Sequence, residues 1–236
     1  MSRAIELVPE LASHLVTAQR LEELRGFRPS GLPELDALLG GGWPRAALSE
    51  LSGRRSSGRT AVMLSALARA AEAGEAVALV DTGGALDPRA AEACGVALPR
   101  LLWIRCAAGE ARAADLALKA ADLLLSAGGF GLLALDLGDE RRIPTAAWVR
   151  LKHGAERQGT SVLVATQARV VGAFAAAAIE LSAATPRFFE ESGGPALFTG
   201  TRAKIECVRR AGRSANDSGP EERRPSCAWL AFTCRS

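Results

Sequence analysis

The stretch that decides the fold is Gly53-Arg54-Arg55-Ser56-Ser57-Gly58-Arg59-Thr60, which follows the phosphate-loop pattern G-x-x-x-x-G-K-[ST] except that arginine replaces lysine at position 59. A strand is predicted over residues 47–51 before this loop, and a helix over residues 60–71 after it. In such a unit the backbone N–H groups and the helix N-terminus face an anion. Arginine is longer than lysine and fork-shaped, so we expect phosphate binding to survive the exchange better than hydrolysis.

Composition limits the class of protein to which the chain can belong. With 236 residues, 48% of them hydrophobic, it is long enough for one α/β domain with a sizeable core. The formal net charge of +3 is well short of that of a strongly basic nucleic-acid binder. Any contact with DNA therefore needs a local basic patch.

Cysteine usage and hydropathy indicate the compartment. The five cysteines form no C-x-x-C pair, and their odd number argues against a disulfide framework or a zinc site. The first ten residues lack the apolar core of a signal peptide, and no window approaches the roughly 18 apolar residues of a membrane span. We expect a soluble cytoplasmic protein without membrane contact.

The N-terminal region is predicted to form an amphipathic helix. Four leucines recur at near-helical spacing between Pro9 and Arg25. Two interpretations stay open: the helix packs on its own core, or it is a detachable arm that docks onto a partner. The predicted organisation is an arm over residues 1–27 followed by a core domain over residues 28–236.

Beyond the phosphate loop, nearly continuous apolar strands alternate with helices. The predicted strands span residues 76–81, 101–106, 131–136 and 161–167, and the predicted helices span residues 88–94, 111–125 and 145–158. A further short helix is predicted before the loop, over residues 33–39. This alternation indicates a mostly parallel sheet covered by helices on both faces. Strands predicted over residues 178–183, 196–208 and 227–234 add an antiparallel C-terminal extension, with residues 211–225 as a mobile loop.

Asp136 closes the apolar run Leu132-Leu133-Ala134-Leu135. A carboxylate at the end of such a strand is what phosphate-loop proteins use to hold Mg²⁺, and the Thr60 hydroxyl is expected to contact the same ion. The alternative is that Asp136 only caps a turn.

Several ordered motifs resemble the ATPase core of bacterial RecA recombinases. They are Gly31-Leu32-Pro33-Glu34-Leu35-Asp36-Ala37-Leu38-Leu39-Gly40, Gly41-Gly42-Trp43-Pro44, Glu50-Leu51-Ser52-Gly53, Ala85-Leu86-Asp87-Pro88, Gly95-Val96 and residues 196–210. The resemblance covers most of residues 28–236 and implies a RecA-like phosphate-loop core that takes ATP or ADP with Mg²⁺. The implied nucleotide-binding residues are Gly53, Ser56, Ser57, Gly58, Arg59, Thr60, Asp136 and Gln167.

Gln167 matches the glutamine with which RecA proteins sense the γ-phosphate, which implies a nucleotide-responsive switch. Alternatively, Gln167 only ends a strand in a polar cleft. RecA proteins also carry a glutamate that activates the attacking water, and the position that aligns with it here is Gly83. Glycine cannot act as a base, and Asp81, two residues earlier, is a displaced stand-in. We therefore assign no catalytic residue and favour a protein that is not an enzyme.

The segments that bind DNA in RecA proteins are shortened in this chain. The first corresponds to residues 137–144, a short turn, and the second to residues 168–195, which hold little of the expected polar loop. Four arginine pairs, at 54–55, 141–142, 209–210 and 223–224, are candidates for a weak DNA contact, although solvated surface arginines are the plainer interpretation. The four tryptophans are expected in the core or at an interface.

A RecA-like chain with a damaged phosphate loop and reduced DNA loops resembles the ImuA-type accessory proteins, which are also related to the cell-division inhibitor SulA. The resemblance implies a role in the SOS response to DNA damage, in mutagenesis by translesion synthesis. The implied partners are an ImuB-like polymerase subunit, RecA itself, or a further copy bound head to tail as in RecA. The alternatives are a slow DNA-dependent ATPase of DNA repair, a SulA-like inhibitor, and a structural fold that binds no nucleotide.

Overall fold

The structure is a computed structural model that describes residues 26–106, 112–189, 196–210 and 227–233. The helix predicted over residues 9–25 and the loop predicted over residues 211–225 lie outside the described residues. The division into an arm and a core at residue 27 stays a prediction.

The described residues form ten strands and five α-helices. The strands are β1 (Phe27–Arg28), β2 (Trp43–Pro44), β3 (Leu48–Gly53), β4 (Ala76–Asp81), β5 (Leu101–Arg105), β6 (Phe130–Gly138), β7 (Ser161–Thr166), β8 (Ala177–Phe189), β9 (Leu197–Arg209) and β10 (Cys227–Thr233). The helices are α1 (Pro33–Leu39), α2 (Arg59–Glu72), α3 (Pro88–Ala93), α4 (Ala113–Ala127) and α5 (Thr145–Gln158). Short 3-10 helices span Leu98–Arg100 and Gly172–Phe174.

Eight of the strands form one sheet in the order β10-β9-β8-β3-β7-β6-β4-β5. Every neighbouring pair from β8 to β5 is parallel, whereas β9 is antiparallel to both β8 and β10. This confirms the predicted α/β class, a mostly parallel sheet with a C-terminal antiparallel extension. The carboxyl ends of β3, β4, β6 and β7 consequently meet at one edge of the sheet.

Helices cover both faces of the parallel part of the sheet, which explains why a central strand such as β6 is almost wholly apolar. In β6, Leu132 and Ala134 belong to a core built with α1, α2 and α3, while Leu133 and Leu135 belong to a second core built with α4 and α5. Successive side chains of a strand point to opposite faces. A strand buried on both faces therefore needs apolar residues at every position.

Strand β8 is longer than the strand predicted over residues 178–183. Its first part, up to Leu181, pairs with β3, and its second part continues to Phe189 paired with β9 alone. Pro186 lies in this second part, where the lost N–H interrupts no ladder on the β3 side. Because proline and the residues around it are typical of turns, the sequence predicts that the strand ends before residue 186.

The four tryptophans, expected in the core or at an interface, are not equally buried. Trp43 and Trp148 are buried, but Trp229 on β10 is 48% exposed. The Arg202 guanidinium lies 4.5 Å from the centre of the Trp229 ring, a cation–π contact across the β9–β10 pair. This contact gives the exposed ring a charged partner at the surface.

A buried arginine, Arg28, fixes β1 to the eight-stranded sheet. β1 and β2 form a two-residue antiparallel ladder. From β1, Arg28 pairs with the Glu75 carboxylate and donates to the Gly131 carbonyl oxygen at 3.0 Å. Arg28 is almost fully buried. Arg28 therefore ties β1 to the segment after α2 and to the start of β6.

Candidate functional site

The predicted phosphate loop joins β3 to α2 as a tight turn. Two residues have a positive φ, Ser56 at +61° and Gly58 at +92°, and Ser57 N–H donates to the Arg54 carbonyl oxygen at 3.1 Å. No side chain caps the N-terminus of α2. The first N–H groups of α2 therefore remain available to an anion.

Close packing accounts for the two glycines of the loop. A Cβ at Gly53 would lie 2.5 Å from Ser57 Oγ and 3.1 Å from the Leu181 side chain. A Cβ at Gly58 would lie 2.8 Å from Cε2 of Phe232, which belongs to β10. The last strand of the sheet thus packs against the phosphate loop, a contact that nothing in the local sequence indicated.

A cavity of about 790 Å³ opens above the loop. Its volume is within the range of small-molecule and cofactor sites. It is lined by Arg54, Arg55, Ser56, Ser57, Gly58, Arg59, Thr60, Asp81, Gly83, Ala85, Asp136, Gly138, Asp139, Gln167 and Thr201. The structure therefore brings together all the predicted nucleotide-binding residues except Gly53, which lies at the base of the loop.

Arg59 does not extend freely into the cavity. Its Nη1 donates to the Gly53 carbonyl oxygen at 2.9 Å, and its Nη2 lies 3.6 Å from Asp136 Oδ1. The side chain is only 12% exposed. Because β7 lies between β3 and β6, the guanidinium bridges the ends of two strands that are not neighbours.

Asp136 is held by the backbone as well as by Arg59. Its Oδ1 accepts a hydrogen bond from Gly138 N–H at 3.0 Å. Burial raises the pKa of the Asp136 carboxyl above its ordinary value of 3.8, while Arg59 and the Gly138 N–H act in the opposite direction. The negative charge of Asp136 therefore relies on the guanidinium beside it.

Thr60 and Gln167 complete the predicted set at the cavity wall. Thr60 lies in the first turn of α2, and Gln167 directly follows β7. Gln167 N–H donates to the Gly138 carbonyl oxygen at 2.8 Å, which fixes the backbone beside the cavity. That Thr60 and Asp136 hold Mg²⁺, and that Gln167 senses a γ-phosphate, stay predictions.

Asp81 is the carboxylate nearest to Gly83, the position that aligns with the general base, and it accepts hydrogen bonds from the backbone. Asp81 Oδ1 accepts from Gly83 N–H at 2.9 Å, and Asp81 Oδ2 accepts from Leu86 N–H at 3.1 Å. The side chain is buried. Asp81 therefore shapes the turn after β4, and each of its oxygens accepts one backbone hydrogen bond.

The arginine pairs proposed for DNA contact have different surroundings. Arg141 and Arg142 are exposed; Glu140 accepts from both of their backbone N–H groups, and Arg141 Nε lies 3.6 Å from Asp139. Arg209 donates to backbone carbonyl oxygens of the segment before β8. The pair at 54–55 is exposed at the cavity mouth, and the pair at 223–224 lies outside the described residues. DNA contact stays a prediction.

Glu50 is a positioning residue that sequence reasoning missed. It is fully buried in β3, and its Oε1 accepts from Val170 N–H and from Val171 N–H, the latter at 2.7 Å. Arg169 Nε lies 3.5 Å from Oε2. A lone carboxylate within an apolar strand was the available signal. Its bonds hold the segment that follows Gln167.

Two features are absent from the part of the chain that the structure describes. None of the helices in the described ranges is long and apolar enough to cross a membrane. Within those ranges no three His, Cys, Asp or Glu side chains are grouped so that they could hold a metal ion.

Comparisons with known proteins identify RecA proteins as relatives of this chain. The RecA N-terminal domain family matches residues 17–172. Protein RecA of Lactobacillus delbrueckii subsp. bulgaricus is 39% identical over 109 residues, which are 46% of this chain and 31% of that protein. Protein RecA of Francisella tularensis subsp. novicida is 31% identical over 162 residues, 60% of this chain and 44% of that protein. The match thus spans less than half the length of these curated relatives.

Among solved structures, the chain is similar to the crystal structure of the RadB recombinase. The TM-score is 0.60 at 18% sequence identity, and the match covers 88% of this chain and 96% of that one. At this identity the likeness shows the fold alone.

Proposed function

The chain belongs to the RecA N-terminal domain family, and from that premise we propose that it is an accessory protein of DNA-damage-induced mutagenesis. It acts by binding partner proteins and retains a nucleotide cavity without the means for efficient hydrolysis. Its partners are an ImuB-like polymerase subunit, RecA, or both, as in ImuA-type proteins. The binding mode is a RecA-type heterologous interface, which can extend a filament or cap it.

The observation that carries this proposal is the bridge formed by Arg59. A phosphate-loop lysine acts as a mobile point charge on the outer phosphates, whereas Arg59 is tied to the Gly53 carbonyl oxygen and to Asp136. Gly83 stands where the resemblance places the water-activating glutamate, and the Asp81 carboxylate is occupied by two backbone N–H groups. The phosphate loop that would bind nucleotide is kept. The water-activating glutamate is replaced by glycine, and the Arg59 side chain is bonded within the protein.

An exposed cluster on the β8–β9 hairpin supports a role in binding other proteins. We call it the hairpin cluster; it consists of Phe188, Phe189, Leu197 and Phe198, each about half exposed or more. The rings of Phe188 and Phe198 meet edge to face with centroids 5.8 Å apart. Grouped exposed aromatic side chains are typical of protein–protein contacts.

The proposal is tested by pull-down of a purified ImuB-like subunit and of purified RecA with the full chain. The variants are a deletion of residues 1–25, the double substitution Phe188→Ser with Phe198→Ser, and the control Leu123→Ser, which changes an apolar residue of α4 that is 71% exposed. We expect the deletion or the hairpin variant to lose binding while the control keeps it. Binding of neither partner by the full chain, or binding that all variants leave unchanged, contradicts the proposal.

A slow DNA-dependent ATPase is the second candidate. It is favoured by the convergence of Thr60, Asp136 and Gln167 on one cavity. It predicts Mg²⁺-dependent phosphate release that falls in Asp136→Ala. Release no greater than that of a chain lacking the phosphate loop would exclude it.

A further inference from the structure

We propose that the phosphate-loop cavity takes a nucleoside polyphosphate without a divalent cation, with the Arg59 guanidinium supplying the positive charge beside Asp136. This inference deepens the nucleotide-binding part of the proposed function and rests on it. The partner experiment and the ligand experiment are separate, so the failure of one is distinguishable from the failure of the other.

Arg59 fills the space between the loop and the carboxylate that a metal ion would need. One nitrogen of its guanidinium reaches the Gly53 carbonyl oxygen, and another faces Asp136 Oδ1 at 3.6 Å. A planar fork with five N–H donors can contact two acceptors and an anion in fixed directions, whereas an ammonium is a compact point charge with three donors. The cation beside Asp136 is thus part of the chain.

The oxygen donors at this edge of the sheet do not suit Mg²⁺. The ion requires near-octahedral oxygen coordination and loses its water reluctantly. Asp136 Oδ1 already accepts from Gly138 N–H and faces a guanidinium that would repel a divalent cation. Asp81, the other buried carboxylate of the cavity, has both oxygens bonded to backbone N–H groups. Asp139, the third carboxylate of the lining, faces Arg141 Nε at 3.6 Å, and Thr60 offers a neutral hydroxyl.

The phosphate side of the cavity, in contrast, has unused hydrogen-bond donors. Ser57 is 1% exposed, lines the cavity, and its Oγ forms no hydrogen bond with the protein. Arg59 Nε is likewise buried without a partner. The uncapped N-terminus of α2 and the exposed Arg54 and Arg55 add further positive potential. These groups fit an anion with several oxygens.

The test is a thermal-shift titration of the full chain with ATP and with ADP, each with excess Mg²⁺ and with EDTA. Ligand at 100 times Kd should raise the unfolding midpoint by roughly 5–10 °C for a domain of this size. We expect the shift in EDTA to equal or exceed the shift with Mg²⁺. Mg²⁺ complexes the nucleotide and so lowers the concentration of the metal-free polyphosphate that the site prefers. A shift seen only with Mg²⁺ overturns the inference, and so does the absence of any shift.

Arg59→Lys supplies a second, independent measurement. Lysine is shorter and lacks the two separate nitrogens that reach the Gly53 carbonyl oxygen and Asp136, so the carboxylate should be released and nucleotide binding should become dependent on Mg²⁺. In EDTA we expect binding of ATP to be roughly tenfold weaker than in wild type. Arg69→Lys, on the outer part of α2, is the matched control and should behave as wild type. An Arg59→Lys variant with unaltered affinity in EDTA contradicts the role given to the guanidinium.

Discussion

The contact between Gly58 of the phosphate loop and Phe232 of β10 predicts how the loop is stabilised. In Gly58→Ala the new Cβ would lie 2.8 Å from Phe232 Cε2 and 3.4 Å from Cζ. The φ of +92° adds a backbone cost of roughly 1–2 kcal/mol for an L-residue. Overpacking against the ring adds about 1–3 kcal/mol. The free energy of unfolding should therefore fall by about 2–5 kcal/mol in total.

Urea denaturation of the wild type, the two single variants and the double variant separates these two contributions. In a Phe232→Ala background the ring is absent, so Gly58→Ala should cost only the backbone term of about 1–2 kcal/mol. Gly74→Ala is the matched control: its φ is +86°, and a Cβ there meets no heavy atom within 4 Å. We expect Gly74→Ala to cost about 1–2 kcal/mol in both backgrounds.

The reasoning is refuted if Gly58→Ala costs the same with and without the Phe232 ring. That result would mean that β10 does not press on the phosphate loop. A smaller cost in the Phe232→Ala background would show instead that the C-terminal strand contributes to the shape of the cavity.

Three further predictions concern buried charges. Glu75→Ala leaves the Arg28 guanidinium buried without its carboxylate and should cost about 3–5 kcal/mol in urea unfolding, with a smaller loss in Glu75→Gln. Glu50→Ala leaves two backbone N–H groups unsatisfied, at about 1–3 kcal/mol each, whereas Glu50→Gln keeps an acceptor and should lose less by the same assay. Because burial raises the pKa of Asp136, its ionised form is disfavoured in the folded state at neutral pH. Asp136→Asn should therefore be more stable than wild type at pH 7, and thermal unfolding should show this difference shrinking as the pH falls to about 4.

The order and type of the regular elements could be predicted from the sequence. Helix α5 and strand β4 have the bounds that the apolar periodicity indicates, Thr145–Gln158 and Ala76–Asp81. Strand β6 continues to Gly138, past the predicted end at Asp136, because its pairing with β7 resumes after a bulge. Such a bulge depends on the neighbouring strand and leaves no local signal.

The composition of the candidate site was also largely predictable, whereas its internal contacts were not. Parallel strands place Asp136 and Gln167 at the same sheet edge as the phosphate loop, so their convergence follows from the alternation of strands and helices. The bridge from Arg59 to Asp136 requires β7 to lie between β3 and β6. The contact of Phe232 with Gly58 requires the last strand to return over the loop. Both depend on the strand order, which the sequence pattern did not specify.

Phosphate release by the purified chain tests the central claim most directly. The assay contains ATP, Mg²⁺ and single-stranded DNA, with Asp136→Ala and a chain lacking the phosphate loop as references. The account predicts release by the wild type that cannot be distinguished from either reference, because Arg59 is engaged and Gly83 stands where the resemblance places the water-activating glutamate. Mg²⁺-dependent release by the wild type that falls in Asp136→Ala would contradict it.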